Sequence, residues 1–197
     1  EFRRVLFRSV ILLMLAPGPG ILMIINSGIN HGFKNGIHFV FGVIIGANIV
    51  LLLVILGLAS IIFTYPMLRL ILLILSSAYL FYLAINILRQ SSNSTLTKPT
   101  KRLNFFDGIC LQLINPKNYI VQITLFSGFL IWPNDLILEL FFKISVANLI
   151  WLPGHFAWLG LGALIHTLDF APKTLKYINL LMAALLISVI ILAILNY

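Results

Sequence analysis

Acidic residues are nearly missing from this chain. There are five Asp and Glu among 197 residues, and charged residues make up 9% of the total. A soluble domain carries roughly 25% charged residues. Cysteine is as scarce: Cys110 stands alone, so no internal disulfide forms and the redox compartment is left open. Six stretches have no Asp, Glu, Lys or Arg at all: 9–33, 35–68, 70–88, 118–134, 144–168 and 177–197. A helix crossing a bilayer needs about 20 apolar residues. With 61% hydrophobic residues and a mean hydropathy of +1.09, most of the chain is expected within a membrane. This excludes a soluble enzyme, a secreted disulfide scaffold and a disordered tail. It also excludes an outer-membrane barrel, whose strands alternate polar and apolar residues at period two.

The formal net charge of +8 does not mark a nucleic-acid binder. Basic residues that bind phosphates lie on a soluble face. Here they fall between apolar stretches, where Lys and Arg set membrane orientation. The pattern predicts an all-α integral membrane protein with helices at about 10–30, 37–63, 67–88, 108–131, 136–165 and 177–196. Tyr65-Pro66 and Trp132-Pro133-Asn134-Asp135 break helices in short connections. A polar, basic linker, 89–104, separates a first three-helix unit (10–88) from a second (105–197). The odd-numbered connections hold Lys34, Arg89, Lys98, Lys101, Arg102, Lys173 and Lys176, while Arg69 and Lys143 fall on the other side. The positive-inside rule then places the 89–104 linker in the cytoplasm and both termini outside. Residues 1–9 carry three arginines on that outer side and no initiating Met, so they are read as a non-native or truncated N-terminus.

The two units match at an offset of one hundred. Ser27-Gly28 lies opposite Ser127-Gly128, Ala47-Asn48-Ile49-Val50 opposite Ala147-Asn148-Leu149-Ile150, and Pro17 beside Pro116 within one residue. With three helices per unit, the second copy enters the membrane from the opposite face, which is the inverted repeat of secondary transporters. Such carriers bind substrate near the midplane, where paired helices are interrupted by Gly and Pro. The interruptions here are Ala16-Pro17-Gly18-Pro19-Gly20 and Asn115-Pro116-Lys117-Asn118. Proline frees backbone groups that hydrocarbon cannot satisfy, so protein or a wet cavity must do so. Ordinary kinks without a ligand are the plainer alternative.

These segments resemble the LysE/RhtB family of amino-acid exporters. The likeness rests on Pro17-Gly18-Pro19 in the first span and on Phe106-Asp107-Gly108-Ile109 leading to Leu113-Ile114-Asn115-Pro116-Lys117. Ser77-Ala78-Tyr79-Leu80-Phe81-Tyr82-Leu83-Ala84 is similar to the family's third span. The resemblance implies six helices in two inverted halves. It further implies efflux of amino acids or close derivatives across the cytoplasmic membrane, driven by the ion gradient. No Walker motif, cofactor motif, metal-ligand spacing or nucleophile–base set points to an enzyme. A non-transporting membrane scaffold and a small-cation exporter are the alternatives. The implied partners are an amino acid and the lipid bilayer, with a homo-oligomer left open and nucleic acid excluded.

The expected substrate-binding residues are Pro17, Gly18, Pro19, Gly20, Asn115, Pro116 and Lys117, with Asn48 and Asn148 beside them. A broken helix offers N–H groups to a carboxylate and carbonyls to an ammonium. Lys117 either adds a positive charge for the carboxylate or snorkels to the interface. Family members often carry an acid near where Asn48 and Asn148 stand; here both are amides. All five acidic residues are expected near loops or ends. That leaves His155, in Leu152-Pro153-Gly154-His155, as the group for proton coupling. Asn26 and Asn30 share a helix face that could line the same path. Gly42, Gly46, Gly160 and Gly162 are expected to permit close helix contact.

Overall fold

The computed structural model describes residues 18–57, 64–92, 102–127, 132, 134–168 and 172–195. Its elements are α1 (Pro19–Ile55), α2 (Pro66–Ser92), α3 (Phe105–Leu113), α4 (Pro116–Ser127), α5 (Leu136–Thr167) and α6 (Pro172–Leu195). Among the described residues all regular structure is helical. Four helices are long and apolar enough to cross a membrane: α1, α2 over Pro66–Arg89, α5, and α6 over Lys173–Leu195. Their outward faces expose Ile74, Phe81, Leu149, Leu161, Leu181 and Leu192. Hydrocarbon covers such a surface without penalty, whereas water would not.

Two expected spans are joined in α1, which covers 37 residues. The joint is Gly32, with φ 74° and ψ 176°, a backbone that residues with a Cβ rarely adopt. The chain turns back there. A Cβ built on Gly36 would lie 3.3 Å from Ser27 Oγ, nine residues earlier. In a straight helix nine residues rise about 13–14 Å. So α1 is a hairpin with a first arm over 19–31 and a second over 33–55. His166 supports the bend: its Nδ1 lies 2.8 Å from the Ile29 carbonyl oxygen.

Helix boundaries differ from expectation where capping decides them. α3 begins at Phe105, three residues early, because Asn104 and Asp107 form a reciprocal capping box with bonds of 3.0 and 2.8 Å. α6 begins at Pro172, where proline's fixed φ suits the first helical turn. α2 continues through Ser92, past the expected boundary at 88, with Arg89 in its last turn facing the negative helix end. The expected span 108–131 is broken: α3 ends at Leu113 and α4 starts at Pro116.

The α1 hairpin forms the centre, packed against α5 on one side and α3 on the other, while α2 packs against α6. Phe39, Val40, Val43, Leu83, Ile87, Leu111, Leu159 and Leu186 are buried in one cluster that joins these helices. Close approach depends on missing side chains. A Cβ on Gly42 would collide with the Phe105 carbonyl, and one on Gly108 would sit 2.6 Å from Val43 N. On the other flank, a Cβ on Gly28 would lie 2.9 Å from Gly162 Cα. Small residues let membrane helices approach to backbone distance, where dispersion replaces the missing hydrophobic drive.

Candidate functional site

The break between α3 and α4 is built by Asn115. Its Oδ1 accepts the Lys117 backbone N–H at 3.1 Å, and its Nδ2 donates to Gln112 Oε1 at 3.3 Å. Pro116, at the start of α4, has no N–H to satisfy. Across from it, Gly18 caps α1 with extended backbone, φ −118° and ψ −173°, and Pro19 opens the helix. The start of α1 and the α3–α4 break meet. A Cβ on Gly18 would lie 2.9 Å from Lys117 Cδ and 3.2 Å from its Nζ, and a Cβ on Gly20 would lie 3.4 Å from Gln112 Nε2. The Lys117 side chain thus lies over Gly18, half-buried at the cavity.

Between the breaks is a cavity of about 50 Å³, lined by Gly18, Gly20, Ile21, Ala47, Gln112, Asn115, Lys117, Asn118, Val121, Trp151 and His155. No Asp or Glu is among them. Asn118 is 7% exposed, and its Nδ2 has no hydrogen-bond partner among the described residues. One turn on, Gln122 donates to Asn118 Oδ1 at 3.4 Å and to the Ala47 carbonyl at 3.5 Å, while its own Oε1 is unpartnered. A buried donor and a buried acceptor without partners are costly, at about 1–3 kcal/mol each. Of the two, Asn118 Nδ2 belongs to the cavity wall, where a polar ligand or water would satisfy it. His155 Nδ1 lies 2.6 Å from the Trp151 carbonyl. A carbonyl only accepts, so Nδ1 carries the proton and Nε2 is the acceptor of the neutral ring. Pro153 removes one N–H from this turn of α5.

Of the expected site residues, Gly18, Gly20, Asn115, Lys117 and His155 come together at the cavity. Pro19 is buried and Pro116 exposed; both start helices and neither lines the wall. Pro17 lies outside the described residues, as do Gly128 and the Ser127 side chain. Asn48 and Asn148 are not in the wall either. They bond each other in both directions at 2.9 Å, and each donates to the carbonyl four residues earlier, at 2.9 and 3.0 Å. Their neighbours Ala47 and Ala147 are buried in one cluster with Trp151. Asn26 does not face the cavity; it bonds Asn179 of α6 at 3.5 Å and its carbonyl accepts Asn30.

Gln112, Asn118, Gln122 and Trp151 were not expected. The amides carried a signal: 112, 115, 118 and 122 recur at helical spacing in an apolar segment. Charge brings a further finding. Glu139 lies in the first turn of α5, near a helix end as expected, but it is not exposed there. It and Lys143, one turn on, are each 2% exposed, with Lys143 Nζ 2.7 Å from Glu139 Oε1.

Apolar helices of spanning length around a cavity lined by amides, Lys117 and His155 as well as apolar side chains define a multi-pass membrane protein. Sequence comparison specifies the class: the family model described as "LysE type translocator" matches residues 11–196. The chain belongs to this family. It is 32% identical over 127 residues to the leucine efflux protein of Salmonella typhimurium, covering 62% of this chain and 60% of that one. A leucine efflux protein from Enterobacter sp. strain 638 is 30% identical over 124 residues, 60% of this chain and 58% of the relative. An uncharacterised membrane protein of Pseudomonas aeruginosa is 30% identical over 130 residues, 61% and 60% of the two chains. The chain thus spans about 60% of the length of these curated relatives. No solved structure matches it.

Proposed function

We propose that the chain exports amino acids, or close derivatives, across the cytoplasmic membrane as a secondary carrier driven by the ion gradient. The observation that carries this reading is the meeting of the α1 N-terminus and the α3–α4 break around Lys117 and Asn118, in a wall without carboxylates among the described residues. Lys117 and Asn118, in the first turn of α4, line the same region, and the positive end of a helix dipole favours an anion. A substrate carboxylate fits there. The amide oxygen of Gln112 and freed carbonyls suit the ammonium, and Ile21, Ala47, Val121 and Trp151 suit a small apolar side chain. The absence of acids in the wall disfavours a dicationic amino acid. The leucine efflux relatives agree with a neutral cargo. His155 brings a titratable ring to the same wall.

The membrane path of this reading has six crossings: the two arms of α1, then α2, α3 with α4, α5 and α6. Units 10–88 and 105–197 form two inverted halves. The one-hundred-residue offset and the reciprocal Asn48–Asn148 pair support the arrangement. The basic linker lies in the cytoplasm and the termini outside, a placement that labelling of a cysteine in 89–104 by an impermeant reagent in intact cells would reverse.

The deciding experiment loads cells with dipeptides and measures which amino acids accumulate outside. Export of neutral amino acids above vector controls is expected. No difference for any amino acid would overturn the reading.

A further inference from the structure

The α4 helix has a charged group at each end. Lys117 lies at its N-terminus beside the cavity. At the other end, Lys143 of α5 donates to the Phe126 carbonyl at 3.2 Å and stands 5.5 Å from the Phe126 ring centre. Glu139, the ion-pair partner of Lys143, accepts the Trp132 backbone N–H at 2.6 Å through its other carboxylate oxygen. One buried pair thus fastens the last turn of α4, the connection after it and the first turns of α5. A pair so deeply buried adds little net stability, because desolvation offsets the attraction. An ionisable pair kept inside a spanning helix marks a functional group by default.

We infer that Glu139 is a proton-binding site of the transport cycle, with Lys143 as its resident counter-ion; this rests on the export reading given above. With Glu139 ionised, the pair is neutral and the α4–α5 end is closed. A proton taken from the solvent converts the carboxylate to the acid. The pair then carries one net positive charge, and the hold on Lys143 and Trp132 weakens. Because α4 is a single helix of 12 residues, release at Phe126 near its C-terminal end is passed to Lys117 and Asn118 at the cavity, roughly 13 Å away. The charged groups nearest Glu139 along α5 are Lys143 and, one turn earlier, Asp135, which caps α5 through the Leu138 N–H. From α4 the pair meets the carbonyl and ring of Phe126; the titratable side chains of the second arm of α1 are Lys34 and His38.

The test uses purified full-length protein in lipid vesicles. Infrared difference spectra on acidification should show a carboxylic-acid carbonyl band in the wild type that Glu139→Gln removes, a readout that needs no substrate. Labelled leucine then serves as transport probe. Glu139→Gln should keep leucine-for-leucine exchange and lose accumulation driven by a pH gradient. Three results would overturn the inference: no band that Glu139→Gln removes, a variant that responds to the gradient like wild type, or a variant at normal abundance that loses exchange together with driven flux. The last would make the pair a structural clamp. Absence of exchange and of driven flux in the wild type would instead count against the export reading, while the spectra still decide on Glu139.

Discussion

The amides of Asn48 and Asn148 hold each other by two bonds of 2.9 Å, one in each direction, although one hundred residues separate them. Each also donates its second N–H to a carbonyl one turn back in its own helix. All four amide hydrogens are thereby placed in a region where water is scarce. An amide bridge between membrane helices contributes about 0.6–2 kcal/mol. Asn48→Ala and Asn148→Ala should each lower the melting temperature in detergent. The double variant should lose less than the sum of the two. Strict additivity in that cycle would show that the pair is not energetically coupled.

Glycine positions separate by what a methyl group would strike. Gly42→Ala drives a Cβ into the Phe105 carbonyl, and Gly162→Ala into that of Ile25; backbone cannot swing aside. Overpacking of this kind costs about 1–3 kcal/mol. Both variants should show reduced membrane abundance and melting temperature. Gly160→Ala meets only the Phe33 ring edge at 3.9 Å and should behave like wild type. Equal effects at 160 and 162 would refute the assigned helix contact.

At the cavity, Gly18→Ala places a methyl against the Lys117 side chain, whose flexible end can move. The protein should fold normally while export of neutral amino acids falls. Lys117→Ala should weaken export of free amino acids more than that of their amides, since only the former present a carboxylate. A uniform loss across both substrate types would detach Lys117 from carboxylate recognition.

The α3–α4 break gives a further contrast. Asn115 makes its bonds to Lys117 N–H and Gln112 directly, whereas exposed Pro116 only supplies a favourable first residue. Loss of a capping side chain costs about 1 kcal/mol. Export assays at matched abundance should therefore find Asn115→Ala more damaging than Pro116→Ala. The reverse order would make proline, rather than the amide, the element that sets the break.

Sequence alone determined the solvent in which this chain folds. Its charge-free stretches are long enough that only helices in a bilayer can satisfy their backbone. The two Gly- and Pro-rich interruptions were legible for a related reason: proline's missing N–H is a local property that needs no neighbour. The turn at Gly32, the capping box at Asn104 and Asp107 and the burial of Glu139 with Lys143 were not legible as such. Each depends on which face a residue presents, and a uniformly apolar helix gives no amphipathic pattern from which to read that face. Asn48 and Asn148 could be matched by offset, but whether they met substrate or each other was a question of helix rotation. Tertiary packing answered it. Glycine-mediated contacts of α1 with α3 and α5 fix those rotations, and so turn Lys117, Asn118 and His155 toward one cavity while the two asparagines face one another.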